Sequence, residues 1–231
     1  MAINFHVLRS SGAFNAEHIA VLNAVFQETA HKCSNRLVLA DVDFVVMNVP
    51  WNVIPRIGIN GYSYDAHQAV LFLDMDHPHL KRHLRDSVIS ILAHELHHCA
   101  RARARGNSHS TTYGGSLVAE GLACCFEEEI GQPTPFYAVE CHGEALRAFS
   151  RRAKNQARTD RSDMPGYWQK WMFGGGPGDT EFPYQCGYSL GYALVKHWLV
   201  AEGMRASDAA GVDENVILDL WQNDEIDPFE G

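Results

Sequence analysis

The sequence predicts an α+β fold: a small, mostly antiparallel sheet packed on one long helix, with a helical C-terminal part after it. Three observations predict this. Short apolar or β-branched runs cluster at residues 41–49, 57–64 and 69–74. From residue 79 onward, apolar residues recur at helical spacing instead. No linker-like stretch separates the two regions, so the chain reads as one domain over residues 1–231. Its α+β part covers residues 1–78 and its mainly helical part residues 79–231.

Taken in order, residues 16–30 form an amphipathic helix, with Ile19, Leu22, Val25 and Phe26 on one stripe. Residues 41–49 are a mostly buried strand closed by Pro50. The segment IGINGYSY at 57–64 has glycines at 58 and 61, the mark of an irregular or edge strand. Residues 69–74 are a further short apolar strand. The helix at 79–105 carries Leu84, Val88, Ile91, Leu92 and Leu96 at helical spacing and stops at Gly106. Helices follow at 116–130, 140–155, 187–202 and 216–221, with a loop-rich stretch at 164–183. The glycines of 174–178 lack the GxxxxGK[ST] pattern of a phosphate cradle and read as a lid. The acidic end reads as solvated chain.

Composition excludes several classes. Hydrophobic residues make up 46% and charged residues 20%, which is ordinary for a globular protein and not for a disordered one. Nineteen basic against 28 acidic residues give a formal charge of -9, which disfavours nucleic acid as a partner. No run approaches the roughly 18 apolar residues of a membrane span. The first residues lack the basic-then-apolar pattern of a secretory signal, and the six cysteines contain no CxxC pair. Reduced, buried thiols and a cytoplasmic location are therefore expected.

The chemistry concentrates at His94-Glu95-Leu96-His97-His98, an HExxH match. A helix turns by about 100° per residue, so residues four apart nearly overlie. His94 and His98 thus project from one face and can hold one zinc ion per chain with their imidazoles. Glu95 stands beside the first ligand, where it reaches a water rather than the metal and can act as its general base. On the wheel both histidines sit at the margin of the apolar stripe, which predicts a place at a cleft wall.

A catalytic zinc takes a third protein ligand. Arg101 and Ala104 stand where HExxHxxGxxH needs glycine and histidine, so that class is out. Glu120 is the leading candidate: it interrupts the apolar helical run Leu117-Val118-Ala119-Glu120-Gly121-Leu122-Ala123. A carboxylate in such a run is costly without a cation beside it. The competing reading pairs Glu120 with Arg101 or Arg103. Other candidates are weaker. His109 lies in a polar loop, the consecutive Glu127, Glu128 and Glu129 read as a solvated helix end, and Pro78 breaks the periodicity of His77, His79 and His83. His97 is turned away from the pair and reads as a surface or supporting group.

These residues resemble the gluzincins, the thermolysin-type clan with HExxH and a downstream glutamate. They resemble more closely a bacterial family of predicted zinc-dependent proteases, at HELHH (94–98), AEGLA (119–123), GYSLGY (187–192) and the glycine-rich segment at 57–64. The resemblance implies a zincin-like fold, with zinc on His94, His98 and Glu120 and Glu95 as base. It implies a peptide or protein substrate, bound by the edge strand as an added strand. One departure stands out. Some thermolysin-like enzymes place an aspartate four residues after the glutamate ligand, where it orients a ligand histidine; here that residue is Cys124. Tyr188 is the candidate for stabilising the oxyanion, one of Tyr184, Tyr188 and Tyr192 at four-residue spacing; core packing is its competing role. Three other functions compete: a zinc amidase or deacylase on a non-peptide substrate, a non-catalytic binding protein of the same fold, and a cysteine hydrolase using Cys99 or Cys186.

Overall fold

The computed structural model of the chain describes residues 2–106, 110–176, 178–224 and 229. His109 and most of the acidic end lie outside the described residues. The chain divides into two compact units, residues 1–108 with 130–132, and residues 109–129 with 133–231.

The first unit is a sheet with two helices on one face. Its strands are β1 (Ile3–Val7), β2 (Val42–Asn48), β3 (Ile59–Ser63) and β4 (Gln68–Leu73), in the order β1-β2-β4-β3. Its helices are α1 (Ala16–Ser34) and α2 (Pro78–Arg105). The α+β class holds, but the pairing corrects the expectation of a mostly antiparallel sheet. β1 pairs with β2 and β2 with β4 in parallel; only β3 and β4 are antiparallel. The physical reason is the connection: α1 carries the chain back between β1 and β2, and a helical crossover returns a strand in the same direction. β3 and β4 are instead joined by a tight turn, in which Asp65 Oδ1 accepts hydrogen bonds from the backbone N–H of His67 (2.7 Å) and Gln68 (2.9 Å).

Register fixes which face is the core. Phe5, Phe44, Ala69 and Ser63 stand abreast, as do Val7, Val46, Leu71 and Gly61. The Phe5 ring stacks on Phe26 of α1 at 4.3 Å, and Gly61 abuts Ile91 and Glu95 of α2, so both helices cover this one face. Leu22, Val25 and Phe26 of α1 are fully buried there, as the stripe predicts. The opposite face carries the polar residues Asn4, His6 and Asp43, where Asp43 accepts from Asn4 (3.0 Å) and lies 3.1 Å from the His6 ring.

α2 starts with Pro78 at its first turn and ends at Gly106, whose left-handed φ of 86° lets its N–H reach the Ala102 carbonyl at 2.7 Å. His83 departs from helical dihedrals and kinks the first turn away from the rest.

The second unit is helical: α3 (Tyr113–Glu129), α4 (Phe136–Val139), α5 (Gly143–Lys154), α6 (Trp168–Phe173), α7 (Cys186–Glu202) and α8 (Glu214–Gln222). α3 and α7 cross at two glycines. A Cβ on Gly121 would lie 2.2 Å from the Gly191 carbonyl oxygen, and one on Gly191 would lie 2.2 Å from that of Leu117. The expected helix at 140–155 is α5, preceded by the short α4, and the loop-rich stretch contains α6. Among the described residues, no helix is long and apolar enough to cross a membrane.

Backbone atoms cannot yield at the α3–α7 crossing as a side-chain tip can. Gly121→Ala is expected to destabilise the protein by about 1–3 kcal/mol, read as a lower urea midpoint with an unchanged slope.

Candidate metal centre

The HExxH residues lie on the regular part of α2, after the kink. The His94 and His98 rings have centroids 4.9 Å apart with planes inclined by 71°. Their ligating nitrogens lie within 4.8 Å of each other. Two nitrogens on one tetrahedral zinc, each at about 2.05 Å, stand roughly 3.3 Å apart. Rotation about the side-chain bonds covers that difference, so this imidazole pair fits one zinc ion.

The surroundings differ from those expected. His94 and Glu95 are 5% exposed, His98 2% and His97 not at all, and every residue from 91 to 102 is buried. The motif therefore does not sit at the margin of an amphipathic stripe, and His97 is not a surface group. A helix without a solvent face needs no hydrophilic side, and its polar side chains must be met by partners or an ion. Glu95 points toward the sheet: its Cγ and Oε1 occupy the space beside Gly61 of β3. The arrangement offers two imidazole ligands and one carboxylate on a single buried turn.

Glu120 and Tyr188 belong to the second unit. On α3, every residue from 113 to 127 is buried except Glu120, which is half-buried. Arg101, one of its expected rivals for pairing, is itself buried, whereas Arg103 is exposed. Cys124 and Glu127 follow Glu120 along the same helix face, and the Cys124 sulfur and a Glu127 carboxylate oxygen lie within 4.8 Å of each other.

The three consecutive glutamates are not a solvated helix end. Glu127 is fully buried and accepts a hydrogen bond from the Tyr137 hydroxyl at 2.7 Å. Glu128 accepts from Tyr192 at 2.9 Å and is paired with Lys196. Glu129 receives both the N–H (2.9 Å) and the hydroxyl (2.6 Å) of Ser207. Each is anchored by a later segment, which local sequence does not reveal. Tyr137 is thus a buried polar residue beside the Glu120 stripe that sequence reasoning missed, and Glu127 is one that it read as solvated. The one available signal was the spacing of seven from Glu120.

Tyr188 is half-buried on α7, its ring edge-on to Tyr137 at 5.4 Å and tilted against Phe173 at 5.6 Å. Of the other two tyrosines, Tyr184 precedes the helix and Tyr192 is held by Glu128, so the three do not form one ladder.

All six cysteines are buried, and none forms a disulfide. Burial pushes the Cys186 thiol up to about 12, with Cys141 adding to the shift, and Cys141 itself up to about 11. Cys99 is also raised, by burial first and then by the charges of Glu95 and Asp65. Such thiols are poor nucleophiles, which removes the ground for a cysteine hydrolase.

Residues 22–219 match the family model described as "Predicted Zn-dependent protease (DUF2268)". No curated protein and no solved structure matches the chain.

The thiols supply a test of this packing. Iodoacetamide at about pH 8 should leave the folded protein unlabelled, because only exposed thiolates react. After unfolding, mass spectrometry should count six labels.

Proposed function

From the premise that this chain belongs to that family of predicted Zn-dependent proteases, we propose that it hydrolyses peptide bonds, with one zinc held by His94, His98 and Glu120. The observation that carries this reading is the pair of imidazoles one turn apart on a buried helix, with the Glu95 carboxylate between them in sequence and turned to an edge strand. His94, His98 and Glu120 offer two nitrogens and one carboxylate oxygen, the donor set of a catalytic zinc site that leaves a position open. When bound, zinc polarises a carbonyl and acidifies a water.

The chain's own groups do the rest. Glu95 takes a proton from the attacking water and later delivers it to the leaving amine. The Tyr188 phenol donates to the oxygen on which negative charge develops, where a fixed donor contributes most.

The peptide class is supported by β3. It ends the sheet, and its hydrogen bonding to β4 alternates. Tyr64 N–H bonds to the Gln68 carbonyl, and Asp74 N–H to that of Gly58. The backbone groups of Ile59, Gly61 and Ser63 therefore point to the other edge. There the Ile59 carbonyl accepts from Ile54 N–H, and Gly61 N–H bonds only to the Asn60 side chain next to it, at 3.0 Å. An extended substrate exchanges its own backbone for such contacts, beside Glu95.

Glu95→Gln is expected to keep zinc and to lose roughly 10²–10⁴-fold in kcat on fluorogenic peptides, the usual weight of a general base. His94→Ala and Glu120→Ala should each lose the metal, measured by elemental analysis of the purified protein. A Glu120→Ala protein that retains zinc at full occupancy would remove Glu120 from the ligand set.

A further inference from the structure

We propose that Gly61 is a positioning residue for Glu95, its bare Cα reserving the space in which the general-base carboxylate stands. This rests on the assignment of Glu95 as the base. The observation is steric. A Cβ on Gly61 would lie 2.6 Å from both Cγ and Oε1 of Glu95, and 2.7 Å from Ile91 Cγ2. No real Cβ sits so close to another heavy atom, so something must shift.

The glycine is not there for its backbone. Gly61 is absent from the positive-φ residues, and it pairs in regular register with Leu71. Glycine inside a strand weakens it and marks the close approach of another group. Here that group is the carboxylate arm of Glu95, pressed between β3 and its own helix. Ile91, one turn earlier on α2, closes the other side of the same space.

The strand and the base are thereby set against each other. Gly61 directs its N–H and C=O to the outer edge of β3 and its missing side chain toward Glu95. A substrate strand along that edge thus lies next to a carboxylate whose place is fixed by the lack of one methyl group. Adding that methyl moves a flexible side chain rather than backbone, so the variant is expected to fold. The cost then falls on the carboxylate position and not on the strand edge. Misplacing a catalytic group by an ångström costs rate more than binding.

The test is a double-mutant cycle on Gly61→Ala and Glu95→Ala, read as stability of the metal-free proteins, with Gly61→Ala/Ile91→Ala as a control for kcat. Gly61→Ala should keep wild-type zinc content and lose at least about tenfold in kcat with KM changed less than about threefold. Removing Ile91 Cγ2 in the control should not restore kcat. Alanine at position 95 removes both Cγ and Oε1, the two atoms nearest the added methyl. In the metal-free proteins, the fall in urea midpoint caused by Gly61→Ala should be at least about halved when Glu95 is alanine, the contact with Ile91 Cγ2 accounting for the remainder. Full kcat in Gly61→Ala, rescue by Ile91→Ala, or an equal stability loss with and without Glu95 overturns the inference and leaves the function standing. A wild-type protein that binds zinc but cleaves no peptide overturns both.

Discussion

Four residues along an α-helix return a side chain to nearly the same direction, and that single constraint sets His94 and His98 against each other. Their rings stand 4.9 Å apart because the helix between them is regular; the break in α2 falls earlier, at His83. A helix end or kink within those four residues would turn the two imidazoles to different sides. α2 is capped by the His77 side chain at one end, with Pro78 following, and by left-handed Gly106 at the other.

Burial gives this geometry its chemical weight. In water, two imidazoles and a carboxylate would be ordinary solvated groups. On α2 they lie within twelve consecutive buried residues. Removed from solvent, polar groups must be compensated by hydrogen bonds or ions, and electrostatic interactions among them strengthen. The helical unit shows the same economy: Glu127 is buried with the Tyr137 hydroxyl on it, and Glu129 is held by two donors of Ser207. Missing side chains allow close approach in both units, at Gly121 against the Gly191 backbone and at Gly61 against the Glu95 side chain.

Local patterns made much of this legible. The strand Val42–Asn48 and the helix Pro78–Arg105 follow from apolar runs, β-branching and end signals carried within each segment. The HExxH geometry was legible for the same reason, since it depends on one helical turn. Features that depend on distant segments were not. β1 was overlooked although Ile3, Phe5 and Val7 alternate, because a strand of five residues gives little signal without its partner β2. The parallel pairing of β2 with β4 is a property of the whole sheet. The burial of His94 and His98 depends on what covers the far side of α2, and an apolar stripe on a wheel reports only one side. Three glutamates in a row look like solvated chain until the positions of Tyr137, Lys196 and Ser207 are known. Glu120 stands between these cases: its run marks it as anomalous, while its role as ligand rests on the resemblance and on donor chemistry.

In the proposed site, two histidines of one helix and a glutamate of another share a single zinc. Anomalous diffraction at the zinc absorption edge, from crystals of the zinc-loaded protein, tests it most directly. The account predicts one strong peak per chain, about 2.0–2.2 Å from a nitrogen of His94, a nitrogen of His98 and a carboxylate oxygen of Glu120, with a water completing the coordination. A peak on other residues, or a site closed by four protein ligands, would contradict it.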